Sequence, residues 1–150
     1  MRTIIYMLLI IGMTILVGCQ TQTTETMVLL DEKISKVKIS KSHGFGGMNE
    51  DHMHFYSDVE SLKTFENAIT TAQIQMGKVD VSEPEYDVMV EYTSAEGQFP
   101  THGIHLWLGK ENEKSMFMYI GDDEVYLTTP KMTEKLRTLI LSGCISNISL

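Results

Sequence analysis

Five histidines are the residues of this 150-residue chain whose type most directly indicates metal chemistry. His52 and His54 are two positions apart, so a β-strand would point both side chains to one face of a sheet. His43 lies across a predicted hairpin from them and could supply a third ligand. Because imidazole binds both zinc and copper, His43, His52 and His54 form a candidate zinc or copper site. The alternative is that they are surface histidines beside a loop.

The remaining histidines and the methionines add little to a metal site. A strand would point His102 and His105 to opposite faces, so these two cannot act together. Met116 and Met118 would share a strand face and could offer soft ligands to copper(I), but methionine more commonly fills a core. We therefore expect this methionine pair to pack with apolar neighbours.

A glycine-rich loop, with the sequence Gly-Phe-Gly-Gly at residues 44–47, is the next feature of interest. It is not a phosphate loop, because no strand-loop-helix pattern surrounds it and no Lys-Ser or Lys-Thr follows it. It is typical of a mobile hairpin tip. Phe45 could contact a partner there, together with Trp107 on an open sheet face, or it could fold back over the core.

No linear motif for catalysis is present. The chain has no Gly-x-Ser-x-Gly turn and no Ser-x-x-Lys, and no motif predicts a bound cofactor. Its densest group of carboxylates lacks the spacing of a calcium loop and is typical of a solvated face. This group consists of Asp80, Glu83, Glu85, Asp87 and Glu91. We therefore expect a protein that is not an enzyme and acts as a binding or accessory module, the alternatives being a zinc- or copper-binding lipoprotein and a protein-interaction or inhibitor module.

Cys19 stands where a lipid could be attached. Residues 1–18 have the positive Arg2, an apolar stretch and a small Gly18 before the cysteine, as a signal peptide does. The apolar stretch is shorter than the roughly 20 residues that a membrane-spanning helix needs. The sequence Leu-Val-Gly-Cys at 16–19 resembles the lipobox of bacterial lipoproteins. That resemblance implies diacylglyceryl and palmitate-type acyl chains on Cys19 and a place on the outer face of the cytoplasmic membrane.

Charge and the second cysteine limit the partners. Removal of residues 1–18 takes away only Arg2 among the charged residues and leaves a formal net charge of −9. Such an acidic chain gains nothing from counterion release on nucleic acid, so we expect no nucleic-acid partner. The expected partners are the membrane, through the lipid on Cys19, and an unidentified protein or small ligand. Cys144 then has no cysteine to pair with and is expected to be a small apolar residue beside a helix end.

The elements that must position these residues follow from periodicity. Residues 19–27 are a polar tether, and 28–150 form a single domain. Lysines interspersed with apolar residues over 29–42 predict an edge strand, with 52–56 returning as its hairpin partner. A capping box at Ser57 and Glu60 predicts a helix over 58–74, with Gly77 beyond it as a stop.

The second half predicts four more strands and a second helix. Strict alternation marks a strand over 86–93, and shorter ones follow at 104–108, 115–120 and 124–128. Since the turns between them are short, these strands must form an antiparallel meander. Thr129 and Pro130 start the second helix, and Gly143 is a natural stop. The fold class is therefore α+β, an antiparallel sheet made of a hairpin and a four-stranded meander, with two helices packed on one face.

Several segments together carry a family resemblance. Those outside the lipobox are Ile-Ser-Lys-Ser at 39–42, Asn-Glu at 49–50, Leu-Lys-Thr-Phe-Glu-Asn-Ala-Ile at 62–69, Pro-Glu-Tyr-Asp-Val at 84–88 and His-Leu-Trp-Leu-Gly at 105–109. With the lipobox, they resemble the small YhfM-like lipoproteins of Bacillus-type bacteria. The resemblance implies an anchored extracytoplasmic domain in a Gram-positive cell, and it names no activity and no site residue.

Overall fold

Alternating apolar and polar residues build one antiparallel sheet in residues 24–51, 54–93 and 100–145, the part of the chain that a computed structural model describes. The strands are β1 (Ile34–Lys41), β2 (His54–Tyr56), β3 (Gln73–Ile74), β4 (Tyr86–Tyr92), β5 (Thr101–Trp107), β6 (Met116–Tyr119) and β7 (Tyr126–Leu127). The helices are α1 (Val59–Thr70) and α2 (Pro130–Ile145). The strand order is β2-β1-β4-β5-β6-β7-β3. The predicted α+β class is confirmed.

Both helices pack on one face of the sheet, where the main core lies. Alternate residues of the central strands supply the sheet side of this core, and they are Val37, Ile39, Val88, Val90, Ile104, Leu106 and Phe117. The helices supply Phe65, Ala68, Ile69, Leu136 and Ile140. Tyr56 Oη donates to the carbonyl of Leu139 at 2.9 Å, which links β2 to α2. The predicted placement of the helices is therefore correct.

The opposite face of the sheet is covered by loops. Val79 and Val81 pack there on a second apolar cluster formed by Trp107, Met118 and Val125. The loop between β1 and β2 covers the neighbouring part of this face with Phe45 and Met48. We call residues 42–50 of this connection the glycine-rich loop. Its position matters because it lies over the stretch of sheet that carries Asp87 and His105, both of which are buried.

The prediction that the first strand is an edge strand is wrong. β1 pairs with β2 on one side and with β4 on the other, so it is an interior strand. Its lysines do not protect an open edge, since Lys38 Nζ lies 2.6 Å from Glu91 Oε1 on the neighbouring strand. The short strands β2 and β3 are the edges of the sheet. The alternation of lysine and apolar residues predicts a strand with one polar and one apolar face, but it does not predict which strands pair with it.

The ends of the helices differ from the predicted ones. Asp58, rather than Ser57, caps α1, because its Oδ1 accepts the N–H of Ser61 at 2.9 Å. The helix ends at Thr70, and Gln73 and Ile74 leave it to pair with β7. At the other helix, Thr129 Oγ1 accepts the N–H of Met132 at 3.3 Å, as a cap does. α2 continues past the predicted stop at residue 143 to residue 145, so Cys144 lies in its last turn.

The chain is fixed to the domain earlier than predicted. Ile74 donates its N–H to the carbonyl of Glu25, Thr26 forms a bridge with Gln73, and Met27 is 1% exposed. Residues 25–27 of the predicted tether therefore belong to the fold. The predicted signal peptide at 1–18 and Cys19 lie outside the described residues. Neither α1 nor α2 has the length and apolar character that crossing a membrane requires.

Candidate active site

A buried aspartate and a buried histidine face each other on the sheet face that the loops cover. Asp87 of β4 and His105 of β5 are directly paired in the antiparallel register. Their side chains are 0% and 3% exposed, and His105 Nδ1 lies 2.8 Å from Asp87 Oδ1. Because a carboxylate only accepts hydrogen bonds, Nδ1 donates, and in the neutral ring Nε2 then carries the lone pair. The aspartate therefore fixes both the tautomer and the orientation of the histidine.

The glycine-rich loop holds the other oxygen of Asp87. The Asn49 N–H donates to Asp87 Oδ2 at 2.8 Å. Asn49 is itself held, since its Nδ2 donates to the carbonyl of Lys41 at 2.7 Å and its carbonyl accepts from Ser40 Oγ at 2.6 Å. A buried carboxylate is costly unless its oxygens are hydrogen-bonded. Both oxygens of Asp87 meet that condition, so the fold itself holds the Asp87–His105 pair in place.

His105 Nε2 is the atom of the pair that remains available. It has no hydrogen-bond partner within the described part of the chain. It is also not one of the fully buried atoms there that lack a partner, so it keeps some exposure. A neutral imidazole nitrogen in this state accepts a proton from water or from a substrate. Held by a carboxylate on its other nitrogen, His105 has the arrangement of a general base.

Aromatic rings lie over and beside the pair. The ring centroid of Phe45 is 5.9 Å from that of His105 in an edge-to-face arrangement and 6.0 Å from that of Trp107. Trp107 is fixed, because its Nε1 donates to the carbonyl of Ser82 at 2.8 Å. Phe45 is 52% exposed, whereas Trp107 is 5% exposed. An apolar surface therefore adjoins His105.

The predicted partner-binding residues are brought together, but not on an open surface. Phe45 folds back to contact Trp107, which was the alternative to an outward-pointing contact residue. The expectation of an open sheet face around Trp107 is wrong. Val79 and Val81, which lie between Gly77 and β4 in the chain, pack on Trp107 and cover this part of the sheet.

The residues of the predicted metal site are not gathered by the described structure. His43 is exposed, with its Nε2 3.4 Å from Asn49 Nδ2. His54 lies on β2, and its ring packs on Tyr56 with a centroid distance of 4.6 Å. His52 lies outside the described residues. Among the residues that are described, no three histidine, cysteine, aspartate or glutamate side chains form a group that could hold a metal ion.

Three other expectations have mixed outcomes. Met116 and Met118 lie on one face and pack with the Trp107 cluster, so the predicted core role is confirmed. His102 and His105 do point to opposite faces, since His102 Nδ1 lies 2.7 Å from Tyr92 Oη on the helix side. The assignment of Asp87 to a solvated acidic face is wrong, because it is 1% exposed.

The Asp87–His105 pair is the functional feature that the sequence analysis missed. Alternation along each strand places Asp87 and His105 on the faces that they occupy, but only the pairing register brings them together. The available signal was that Asp87 and His105 belong to neighbouring strands of a meander. A linear motif joins residues that are close in sequence, whereas these two are 18 positions apart.

Comparison with known proteins gives a structural match. No curated protein matches the sequence. The fold resembles the crystal structure of a thioesterase-like protein from Clostridium sporogenes ATCC 15579, with a TM-score of 0.56 and 17% sequence identity. The match covers 72% of this chain and 94% of that one.

This match corrects the prediction of a protein that is not an enzyme and serves as a binding or accessory module. The fold is also that of a protein described as thioesterase-like, and in the present chain it carries a buried Asp87–His105 pair. The prediction failed because it depended on linear motifs, and its two alternatives, metal binding and protein interaction or inhibition, are set aside with it.

The resemblance to a known family is confirmed by a family model. The model describes the YhfM protein and matches residues 30–143, from the residues just before β1 to the last turn of α2. The match spans well over half of the chain and includes Asp87, His105 and the glycine-rich loop. The chain belongs to the YhfM protein family.

Proposed function

We propose that the domain is a thioesterase-type hydrolase in which His105 is the general base. The observation that carries the proposal is the buried 2.8 Å hydrogen bond between Asp87 and His105, which leaves Nε2 as the acceptor beside an apolar surface. The likeness of the fold to a thioesterase-like protein supports the choice of reaction. Thioester hydrolysis needs a base for water and no bound metal, which fits this pair.

The reaction follows from the atoms of the pair. His105 Nε2 removes a proton from a water molecule as its oxygen attacks the thioester carbonyl carbon. The carbon–sulfur bond then breaks, and the leaving thiolate takes the proton back from Nε2. The products are a carboxylic acid and a thiol, and the histidine returns to its initial state. Asp87 stabilises the imidazolium that forms between the two proton transfers.

The test measures hydrolysis of a panel of acyl thioesters of coenzyme A by the full-length chain. The loss of thioester absorbance gives the rate. We expect His105→Gln to lower kcat by about 10²- to 10⁴-fold, which is the usual contribution of a general base. Asp87→Asn should also lower kcat. The NH₂ group of the new asparagine can donate to Nδ1 of His105, which places the ring proton on Nε2, so that Nε2 cannot act as the base.

The control is His54→Gln, which changes a histidine of the edge strand β2, outside the glycine-rich loop, and should keep the wild-type kcat. Circular dichroism melting of each variant separates loss of activity from loss of fold. Wild-type chain that hydrolyses none of the thioesters, or folded His105→Gln with the wild-type kcat, contradicts the proposal.

We also propose that this domain works at the outer face of the cytoplasmic membrane, held by lipid on Cys19. The support is the sequence of residues 1–19, in which an apolar signal peptide ends at a lipobox-like Leu-Val-Gly-Cys. Two or more acyl chains give stable anchoring, whereas one alone holds weakly. Fractionation of cells that express the wild-type chain or Cys19→Ala tests this location.

A further inference from the structure

The phenyl ring of Phe45 covers the general base without being enclosed. It touches His105 edge-on and lies against Trp107, with centroid distances of 5.9 and 6.0 Å. Half of its surface nevertheless remains exposed. Aromatic pairs of this kind contribute only modestly beyond the area that they bury. The ring is therefore held by contacts that another apolar group could replace.

The surface beneath Phe45 is fixed independently of it. Trp107 is held by the hydrogen bond from its Nε1 to the carbonyl of Ser82 and by packing with Met118. His105 is held by Asp87. If Phe45 moved away, the ring of Trp107, whose centroid is 6.3 Å from that of His105, would still offer an apolar surface beside the imidazole.

The glycine-rich loop is anchored at its ends and open at its tip. Ser42 donates its N–H to the carbonyl of Glu85 at 3.1 Å, and Asn49 donates its N–H to Asp87. At the tip, a side-chain carbon on Gly46 or Gly47 would meet nothing within 4 Å. Glycine allows large backbone rotations, so the tip can move Phe45 while both anchors remain in place.

We propose that the surface formed by His105 and Trp107 is the subsite for the acyl group of the substrate, and that Phe45 occupies it until the substrate enters. This inference depends on the proposed thioesterase function and names its substrate class. The acyl group is apolar and about the size of the phenyl ring that it displaces. Its carbonyl carbon then lies beside Nε2, where the base-activated water attacks.

The test uses benzamide, a neutral analogue of a benzoyl thioester that the reaction does not consume. Trp107 is the only tryptophan in the chain, so tryptophan fluorescence comes from a residue of the subsite. We expect benzamide to change this fluorescence in the full-length chain and to protect His105 from diethylpyrocarbonate, as mapped by mass spectrometry. Phe45→Ala should bind benzamide about two- to tenfold more tightly, because the competing ring contacts are gone.

Phe55→Ala is the matched control, because Phe55 is an exposed phenylalanine on the edge strand β2 and should bind benzamide as the wild type does. Phe45→Leu keeps the apolar bulk and should fall between the wild type and Phe45→Ala, which also covers the case that the alanine variant is unstable. A Phe45→Ala or Phe45→Leu chain that binds benzamide no more tightly than the wild type overturns the subsite. Benzamide binding as expected without thioester hydrolysis would instead overturn the proposed function alone.

Discussion

His102 and His105 lie three positions apart on one strand and meet opposite environments. His105 has a carboxylate partner on the loop-covered face, whereas His102 lies on the helix face beside Tyr92 and Tyr119. Burial lowers the pKa of His102 because its charged form loses hydration there. The two residues therefore differ in chemistry although their type is the same.

Stability should fall as the pH falls through the range in which unfolded histidine gains a proton. The pKa of His102 is lowered in the folded chain, so the unfolded chain binds more protons below about pH 6.5. His102→Gln should show a smaller loss of stability between about pH 7 and pH 5. Urea unfolding at several pH values measures this. The exposed His43→Gln is the control and should keep the wild-type slope, and a wild-type slope in His102→Gln contradicts the assignment.

At this scale, alternation predicts the face of a residue but not its partner. The sequence places His102 and His105 on opposite faces, and the structure agrees. It does not predict the contact with Asp87, because a shift of the strand register by two residues would keep every face and break this pair. The register depends on packing across the whole sheet.

The turn between β5 and β6 is the element where a small substitution has the clearest cost. A side-chain carbon on Gly109 would lie 2.5 Å from the carbonyl oxygen of Lys114 and 2.8 Å from its carbon, which are backbone atoms that cannot move alone. Arg137 Nη1 also donates to the Gly109 carbonyl at 3.0 Å, so the turn is tied to α2. Gly109→Ala must therefore shift the turn.

We expect Gly109→Ala to lower the free energy of unfolding by about 1–3 kcal/mol, as overpacking usually does. Gly103→Ala is the comparison, because its new carbon would meet the flexible end of Met48 at 2.9 Å and Ile120 at 3.1 Å. Methionine adapts readily, so this variant should lose less stability. Urea midpoints at an unchanged m value give both numbers. Equal losses, or a larger loss for Gly103→Ala, would contradict the expectation.

Elements with strong periodicity are predicted well, and elements that depend on distant partners are not. β4 alternates strictly, and its predicted span of 86–93 is one residue longer than the strand that is found. The sequence predicts the residues of β3 as the end of a helix, because two residues carry no period. It exists because Gln73 and Ile74 pair with β7, more than fifty residues later in the chain.

The whole molecule has one sheet with different layers on its two faces. α1 connects β2 at one edge of the sheet to β3 at the other, so the helix layer spans the face that it covers. The other face is left to loops, and it is there that Asp87, His105 and Phe45 lie. This division is only half predicted, because the sequence predicts two helices on one face and leaves the face around Trp107 open, whereas loops cover it.

Attachment to the membrane is the prediction that concerns the whole chain. The domain is strongly acidic, so it should not bind anionic lipid headgroups by charge. We therefore expect lipid on Cys19 to provide the attachment, so that washing membranes with concentrated salt does not release the protein. We expect the wild-type chain, expressed in a bacterium that processes lipoproteins, to sediment with membranes and to incorporate labelled palmitate.

Cys19→Ala should incorporate no label and leave the membrane fraction, because its acyl acceptor is gone. Cys144→Ala, which removes the other cysteine, from the last turn of α2, should keep both the label and the location. A wild-type chain without label, or a labelled Cys19→Ala chain, contradicts attachment at Cys19. Release of the unlabelled chain by salt would show that charge, and not lipid, holds the domain at the membrane.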